Sequence, residues 1–268
     1  MAPRAGRALH QHRGTQPHAR HAEAERRRDH AHQGARGRRQ EVTGDRNAMP
    51  STRRALLAAM LAATLVTSIN AAAQLTRGKD YRVMDLPQPT DSGRKVEVIE
   101  FFWYGCPHCN NMQPSLRAWL KNKPADVEFR RVPAVLQDTW VPLTRAYHAL
   151  EAMGLTDKLH HEVFAAIHEQ KVRLQDPKVL FDWVANRGVD RKQFMDTYNS
   201  FGVQSRVQRS IDMTRNYDVP FTPVVVVDGR YLTAPSMTLK PDNRVDYERY
   251  YKVLDQVIAM ARKARAGK

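Results

Sequence analysis

Only two cysteines occur in this 268-residue chain, Cys106 and Cys109, in the run Cys106-Pro107-His108-Cys109. Two helical positions three apart lie on one face, so such a pair can cycle between dithiol and disulfide. A structural zinc site needs four ligands, and a second cysteine pair is absent. A purely structural bridge is a poor explanation, because closing so short a loop removes little freedom from the unfolded chain. Redox chemistry of the pair itself is left, and it calls for no cofactor and no metal.

That chemistry needs a strand and a helix to present it. Val96-Glu97-Val98-Ile99-Glu100-Phe101-Phe102-Trp103 is a nearly continuous apolar, β-branched run, as expected of a strand buried on both faces. A helix is predicted from Cys106 to about Lys121, stopping before Pro124. Cys106 then falls at the N-cap and Pro107 at the first helical position, where a missing N–H costs nothing. The N–H groups of His108 and Cys109 face the Cys106 sulfur, and the positive end of the helix dipole favours its thiolate. His108 can add a charge or a donor; otherwise it is an ordinary surface histidine. Cys109, one turn further in, is the less accessible thiol and suits the resolving role. Pro114 removes a hydrogen bond to Asn110 and predicts a kink.

Around this unit the pattern is α/β. Tyr81 to Leu86 alternates like a first strand, Pro87 to Gly93 reads as a loop, and Val127 to Val132 as a third strand, completing a strand–helix–strand unit. From Asp138 to Phe201 apolar residues recur at helical spacing, which predicts a helical block inserted after the first three strands. A further helix is expected at about Val203–Tyr217. Asp228-Gly229 between apolar runs signals a hairpin, and a terminal helix carries Tyr247, Tyr250, Tyr251, Leu254 and Val257.

The formal charge of +15 suggests nucleic acid or a membrane until its location is considered. Residues 1–48 hold 11 Arg against 5 acids, and Arg53 and Arg54 add two more, so only +7 falls on 74–268. Residues 1–48 contain no Lys, six His and almost nothing apolar beyond Leu9 and Val42, too little to offset the entropy of ordering. They read as a basic disordered arm, a long presequence, or residues ahead of a true start at Met49. The segment after Met49 favours the last of these. Arg53-Arg54, the apolar run Ala55–Ile69 and Ala71-Ala72-Ala73 before Gln74 have the layout of a signal peptide. The run is shorter than the ~20 residues a spanning helix needs; a buried Ala-rich helix or an uncleaved anchor are the alternatives. Export would place the cysteines in an oxidising compartment.

The run Phe101-Phe102-Trp103-Tyr104-Gly105-Cys106-Pro107-His108-Cys109 closely resembles the active site of the DsbA-type periplasmic disulfide oxidases, and the likeness extends over essentially all of 74–268. The resemblance implies a thioredoxin-like fold with an inserted helical domain. The expected boundaries are 1–48 disordered, 49–73 signal peptide, 74–137 and 206–268 thioredoxin-like domain, and 138–205 helical domain. It implies a cis-proline facing the disulfide, at Pro223 in Thr222-Pro223-Val224 rather than at Pro220, with Thr222 offering its backbone to an extended substrate. It also implies a buried acid, Glu100, placed to take the proton from Cys109. Substrates would be reduced exported proteins, a DsbB-type membrane protein would reoxidise the pair, and the chain would act as a monomer without nucleic acid. Gly105, where some relatives carry a bulky aromatic, is expected to open the approach to the sulfur. A reductase or isomerase on the same fold, or a peptide-binding chaperone using a groove near Pro223, are the competing readings.

Overall fold

The computed structural model describes residues 74–267; the segments 1–48 and 49–73 lie outside the described residues. Strand β2 (Val96–Phe102) is buried at all seven positions, as its continuous apolar pattern requires. Each fully buried Val, Ile or Phe side chain contributes roughly 1.5–3 kcal/mol, so this strand anchors the domain. Helix α1 (Pro107–Asn122) comes next, with Pro114 inside it, and β3 (Val127–Pro133) then runs parallel to β2. A 3-10 turn at Asp138–Trp140 leads into α2 (Val141–Ala152), α3 (Thr156–His168), α4 (Pro177–Ala185), α5 (Arg191–Tyr198) and α6 (Phe201–Asn216). The hairpin β4 (Val224–Val227) and β5 (Tyr231–Thr233) and the terminal helix α7 (Tyr247–Ala266) complete the fold.

The sheet order is β1-β5-β4-β2-β3, where β1 is Arg82–Val83. The expected first strand, Tyr81–Leu86, is thus only two residues long. Its partner β5 has three residues and begins directly after a tight turn, so little ladder remains for Asp85 and Leu86, and Leu86 is exposed. Asp228 and Gly229 both have positive φ in that turn. A Cβ on Gly229 would also lie 2.1 Å from the Gln88 carbonyl oxygen, so glycine is required there twice over.

Side-chain caps start several helices where sequence signals stand: Asp176 accepts from Lys178 N with Pro177 at the first turn, Ser200 accepts from Val203 N, and Asp246 from Arg249 N. Helix α6 runs unbroken through the expected junction at 205/206, because Ser200 caps it and nothing interrupts it before Asn216. One face of β2 packs with α1 and α7 through Val96, Val98, Leu116, Leu254 and Val257. The other joins Ile99 and Phe101 to Tyr217, Val224 and Val226. The helical block has its own core, which reaches Phe102, Tyr104 and both cysteines. Among the described residues no helix is long and apolar enough to cross a membrane.

Candidate active site

Strand β2 ends at Phe102, and Cys106 caps α1 with extended backbone, φ −85° and ψ 117°, ahead of Pro107. The Asn110 N–H closes the first helical turn on the Cys106 carbonyl at 3.1 Å. Because β4 lies antiparallel beside β2 with Val224 opposite Phe101, the residues just before β4 arrive beside this turn. The Thr222–Pro223 bond is cis, and the Thr222 carbonyl accepts a hydrogen bond from Cys106 Sγ at 3.3 Å. Among the described residues no other peptide bond is cis, so Pro220 does not share this geometry.

The two unbridged cysteines differ sharply. Cys109 is sealed at 0% exposure, while Cys106 retains 8%. The Cys106 pKa is lowered to about 5, chiefly by a hydrogen bond from the Cys109 thiol; burial opposes this, and the Thr222 side chain and the N–H groups of Cys109 and His108 reinforce it. Burial, followed by the same bond to Cys106, pushes the Cys109 thiol well above its ordinary range. The N–H groups of His108 and Cys109 face the Cys106 sulfur as expected and favour its thiolate, although neither meets the geometry of a full cap hydrogen bond. In its protonated form the thiol is turned to the Thr222 carbonyl.

Glu100 is fully buried, and desolvation raises its pKa against the pull of Arg131 and Gln113. Arg131, opposite it in the parallel register, donates from Nε to Oε2 at 3.2 Å. Gln113 Nε2 lies 3.4 Å from Glu100 Oε1 and 3.2 Å from the Cys109 carbonyl oxygen. Glu100 therefore reaches the resolving cysteine's turn through Gln113, with no direct hydrogen bond to Cys109 among the described residues. Sequence reasoning misses both Arg131 and Gln113. A carboxylate within an apolar strand gives no hint of a partner on the next strand.

Pro107 and His108 are exposed, and His108 stands between two grooves. One, of about 490 Å³, is apolar and includes Phe221, Thr222, Pro223, Leu239 and Tyr247. The other, of about 850 Å³, is more polar and includes Gln113, Arg117, His161 and Tyr247. Sequence reasoning also misses Phe221 and Leu239, because isolated apolar residues in loops carry no periodic signal.

Gly105 does not open the approach to the sulfur. A Cβ there would lie 2.3–2.6 Å from the Trp103 ring, and that ring stacks on Trp140 at 4.3 Å and 4°. The volume spared by glycine is filled by the indole. Gly105→Ala is accordingly expected to displace Trp103 from the stack and cost about 1–3 kcal/mol, read as a lower melting temperature with altered tryptophan fluorescence. An alanine variant with an unchanged melt would show that the indole has room to move.

An acidic thiol that solvent can reach, beside one that is sealed and basic, is what directional thiol–disulfide exchange requires. On this α/β scaffold with its helical block, it defines a thioredoxin-like thiol:disulfide oxidoreductase. A family model described as a DSBA-like thioredoxin domain matches residues 141–243. The chain is 42% identical over 187 residues to the thiol:disulfide interchange protein DsbA of Burkholderia cepacia, covering 66% of this chain and 88% of that protein. It is 39% identical over 210 residues to the protein of the same name from Bordetella parapertussis, covering 78% and 97%. The crystal structure of Pseudomonas aeruginosa DsbA superposes with a TM-score of 0.65 at 34% identity, over 72% of this chain and 97% of that one. The chain belongs to the DsbA family.

Proposed function

We propose that this protein donates its Cys106–Cys109 disulfide to reduced, newly exported proteins in the periplasm. The observation that carries the reading is the opposed acidity of the two thiols, Cys106 near 5 and Cys109 well above its ordinary value. A substrate thiolate attacks Cys106 Sγ. The Cys106–Cys109 bond breaks, a substrate–Cys106 bond forms, and Cys109 leaves with the electron pair and takes up a proton. A second substrate thiol, after losing its proton, attacks the substrate sulfur of this mixed disulfide. The substrate disulfide forms and Cys106 departs as a thiolate, a good leaving group because it is acidic. Two electrons pass from substrate to enzyme. A DsbB-type membrane protein then returns the pair to the disulfide.

In this scheme His108 and Pro107 line the approach to Cys106, and Thr222 and Pro223 offer backbone to an extended substrate segment. Residues 74–137 and 206–268 form the redox domain and 138–205 the helical domain that flanks it. The protein acts as a monomer. The direct test is to mix the oxidised protein with a reduced, unfolded test protein and to titrate the cysteine pair against glutathione. Rapid transfer of one disulfide and an equilibrium lying toward the dithiol support the donor role. An equilibrium lying toward the enzyme disulfide would favour a reductase.

When Cys109 attacks a mixed disulfide it must lose its proton, and Glu100 is the nearby buried base whose charge already raises the Cys109 pKa. Glu100→Gln should therefore slow Cys109-dependent release of a mixed disulfide by about tenfold or more, with a smaller effect on attack at Cys106. Stopped-flow traces separate the two phases, and equal slowing of both would assign Glu100 a structural role. The exported chain should begin at or near Gln74; N-terminal sequencing of periplasmic protein that still carries residues 1–48 would refute a start at Met49.

A further inference from the structure

Tyr104 is the middle residue of the short turn that joins β2 to Cys106; that turn closes where the Cys106 N–H donates to the Trp103 carbonyl at 3.0 Å. One face of α3 grips this residue at three points. His160 Nδ1 shares a hydrogen bond with the Tyr104 hydroxyl at 2.9 Å. Phe164, one turn on, packs edge-to-face on the Tyr104 ring with centroids 5.0 Å apart. His168, a further turn on, lies 2.8 Å from the Tyr104 carbonyl oxygen through Nε2. A carbonyl only accepts, so His168 Nε2–H donates. The spacing of four residues between successive contacts puts all three on one stripe of the helix.

Packing alone does not account for these histidines. His160 is 3% exposed and sits among Phe102, Tyr147 and Phe164, where a phenylalanine would fill the space. Its Nε2 is buried without a hydrogen-bond partner, a penalty that an apolar residue would avoid. Burial also holds its pKa well below the ordinary value, so the ring is neutral and bonds the hydroxyl as a dipole. What the imidazole adds over a phenyl ring is the bond to Tyr104. The next residue, Gly105, has no side chain with which to restrain the turn, and Trp103 is held by its stack on Trp140, so Tyr104 is the position at which α3 holds the turn.

We propose that His160 and His168 are positioning residues for Cys106: by fixing the side chain and carbonyl of Tyr104, they hold the turn so that Sγ rests beside Thr222 and against the N–H groups at the start of α1. This rests on the reading of Cys106 as the attacked sulfur. The helical block thereby takes part in setting the reactivity of a thiol that belongs to the sheet domain.

The test measures the pH dependence of Cys106 alkylation by iodoacetamide in the reduced protein, with thermal melts of both redox forms alongside. Tyr104→Phe keeps the ring and removes only the bond to His160. His168→Leu removes the donor to the carbonyl, and His168→Gln restores an N–H donor. Tyr104→Phe and His168→Leu should each raise the alkylation midpoint by about half a pH unit or more, and His168→Gln should return it toward wild type. Histidines with a merely structural role would lower the melts and leave the midpoint in place. An unchanged or lower midpoint in folded Tyr104→Phe protein overturns the proposal, and that variant guards against a His168→Leu protein that does not fold. A wild-type midpoint already at the ordinary thiol value would instead refute the reading of Cys106 itself.

Discussion

Replacing Cys106 with serine is expected to reduce disulfide transfer to the uncatalysed background, because the more accessible of the two cysteine sulfurs is gone. The companion variants separate the two thiols. Cys109→Ser leaves Cys106 able to attack but removes the resolving thiol, so mixed disulfides with substrates should accumulate on non-reducing gels. The main cause of the low Cys106 pKa is the hydrogen bond from Cys109. Serine keeps a donor at that position and alanine does not, so Cys109→Ala should raise the alkylation midpoint of Cys106 by about a pH unit or more relative to Cys109→Ser. If Cys109 proves the first thiol to be alkylated in the wild-type protein, the assignment is reversed.

The reduced protein should be more stable than the oxidised protein from neutral pH up to about 8.5, the ordinary thiol pKa, and this order should invert in acid. With a folded pKa near 5 and an unfolded value of about 8.5, Cys106 is deprotonated in the folded state while the unfolded chain still holds the proton. Stability of the reduced form therefore rises with pH between these values, is complete above the unfolded pKa, and is lost as pH falls through about 5. At pH 7 the gain amounts to about 3 kcal/mol, an upper figure because the sulfur is not fully shielded from solvent. The disulfide gains nothing from a thiolate. Its own contribution, restraint of a four-residue loop in the unfolded chain, is about 2 kcal/mol. Cys109 does not alter the sign in this window: its pKa is raised, so it is a thiol in both states until the unfolded thiol begins to ionise. Thermal melts of both forms from pH 5 to 8.5 measure the difference. An oxidised form that melts higher throughout would be incompatible with a disulfide donor.

Much of the site is legible along the chain because its chemistry is local. Cys106 and Cys109 sit one turn apart, Pro107 marks the helix start, and an apolar run long enough for one buried strand leads into them. Asp228-Gly229 names its own turn, since only residues tolerant of positive φ can occupy it. The likeness of 101–109 to a known motif supplies Glu100 and Pro223, whose burial and cis bond the structure displays. The helical block is legible from periodicity; that one helix, capped at Ser200, runs unbroken from Phe201 to Asn216 is visible only in the structure.

What tertiary structure alone decided lies across long separations. The Thr222 carbonyl reaches Cys106 from 116 residues away, because β4 pairs with β2 in one register. Glu100 meets Arg131 because parallel strands bring them opposite, a pairing that no periodicity encodes. Gly105 looks like an opening beside the sulfur, yet the Trp103 indole occupies it; glycine leaves space, and only packing decides what enters. His160 and His168 are ordinary positions on an amphipathic helix until α3 is laid against Tyr104. Residue type and spacing determine which groups can do chemistry and how each segment folds. The electrostatics of those groups depends on neighbours brought close by the fold, which is why the kind of reaction is visible in the chain and the tuning of the thiols is not.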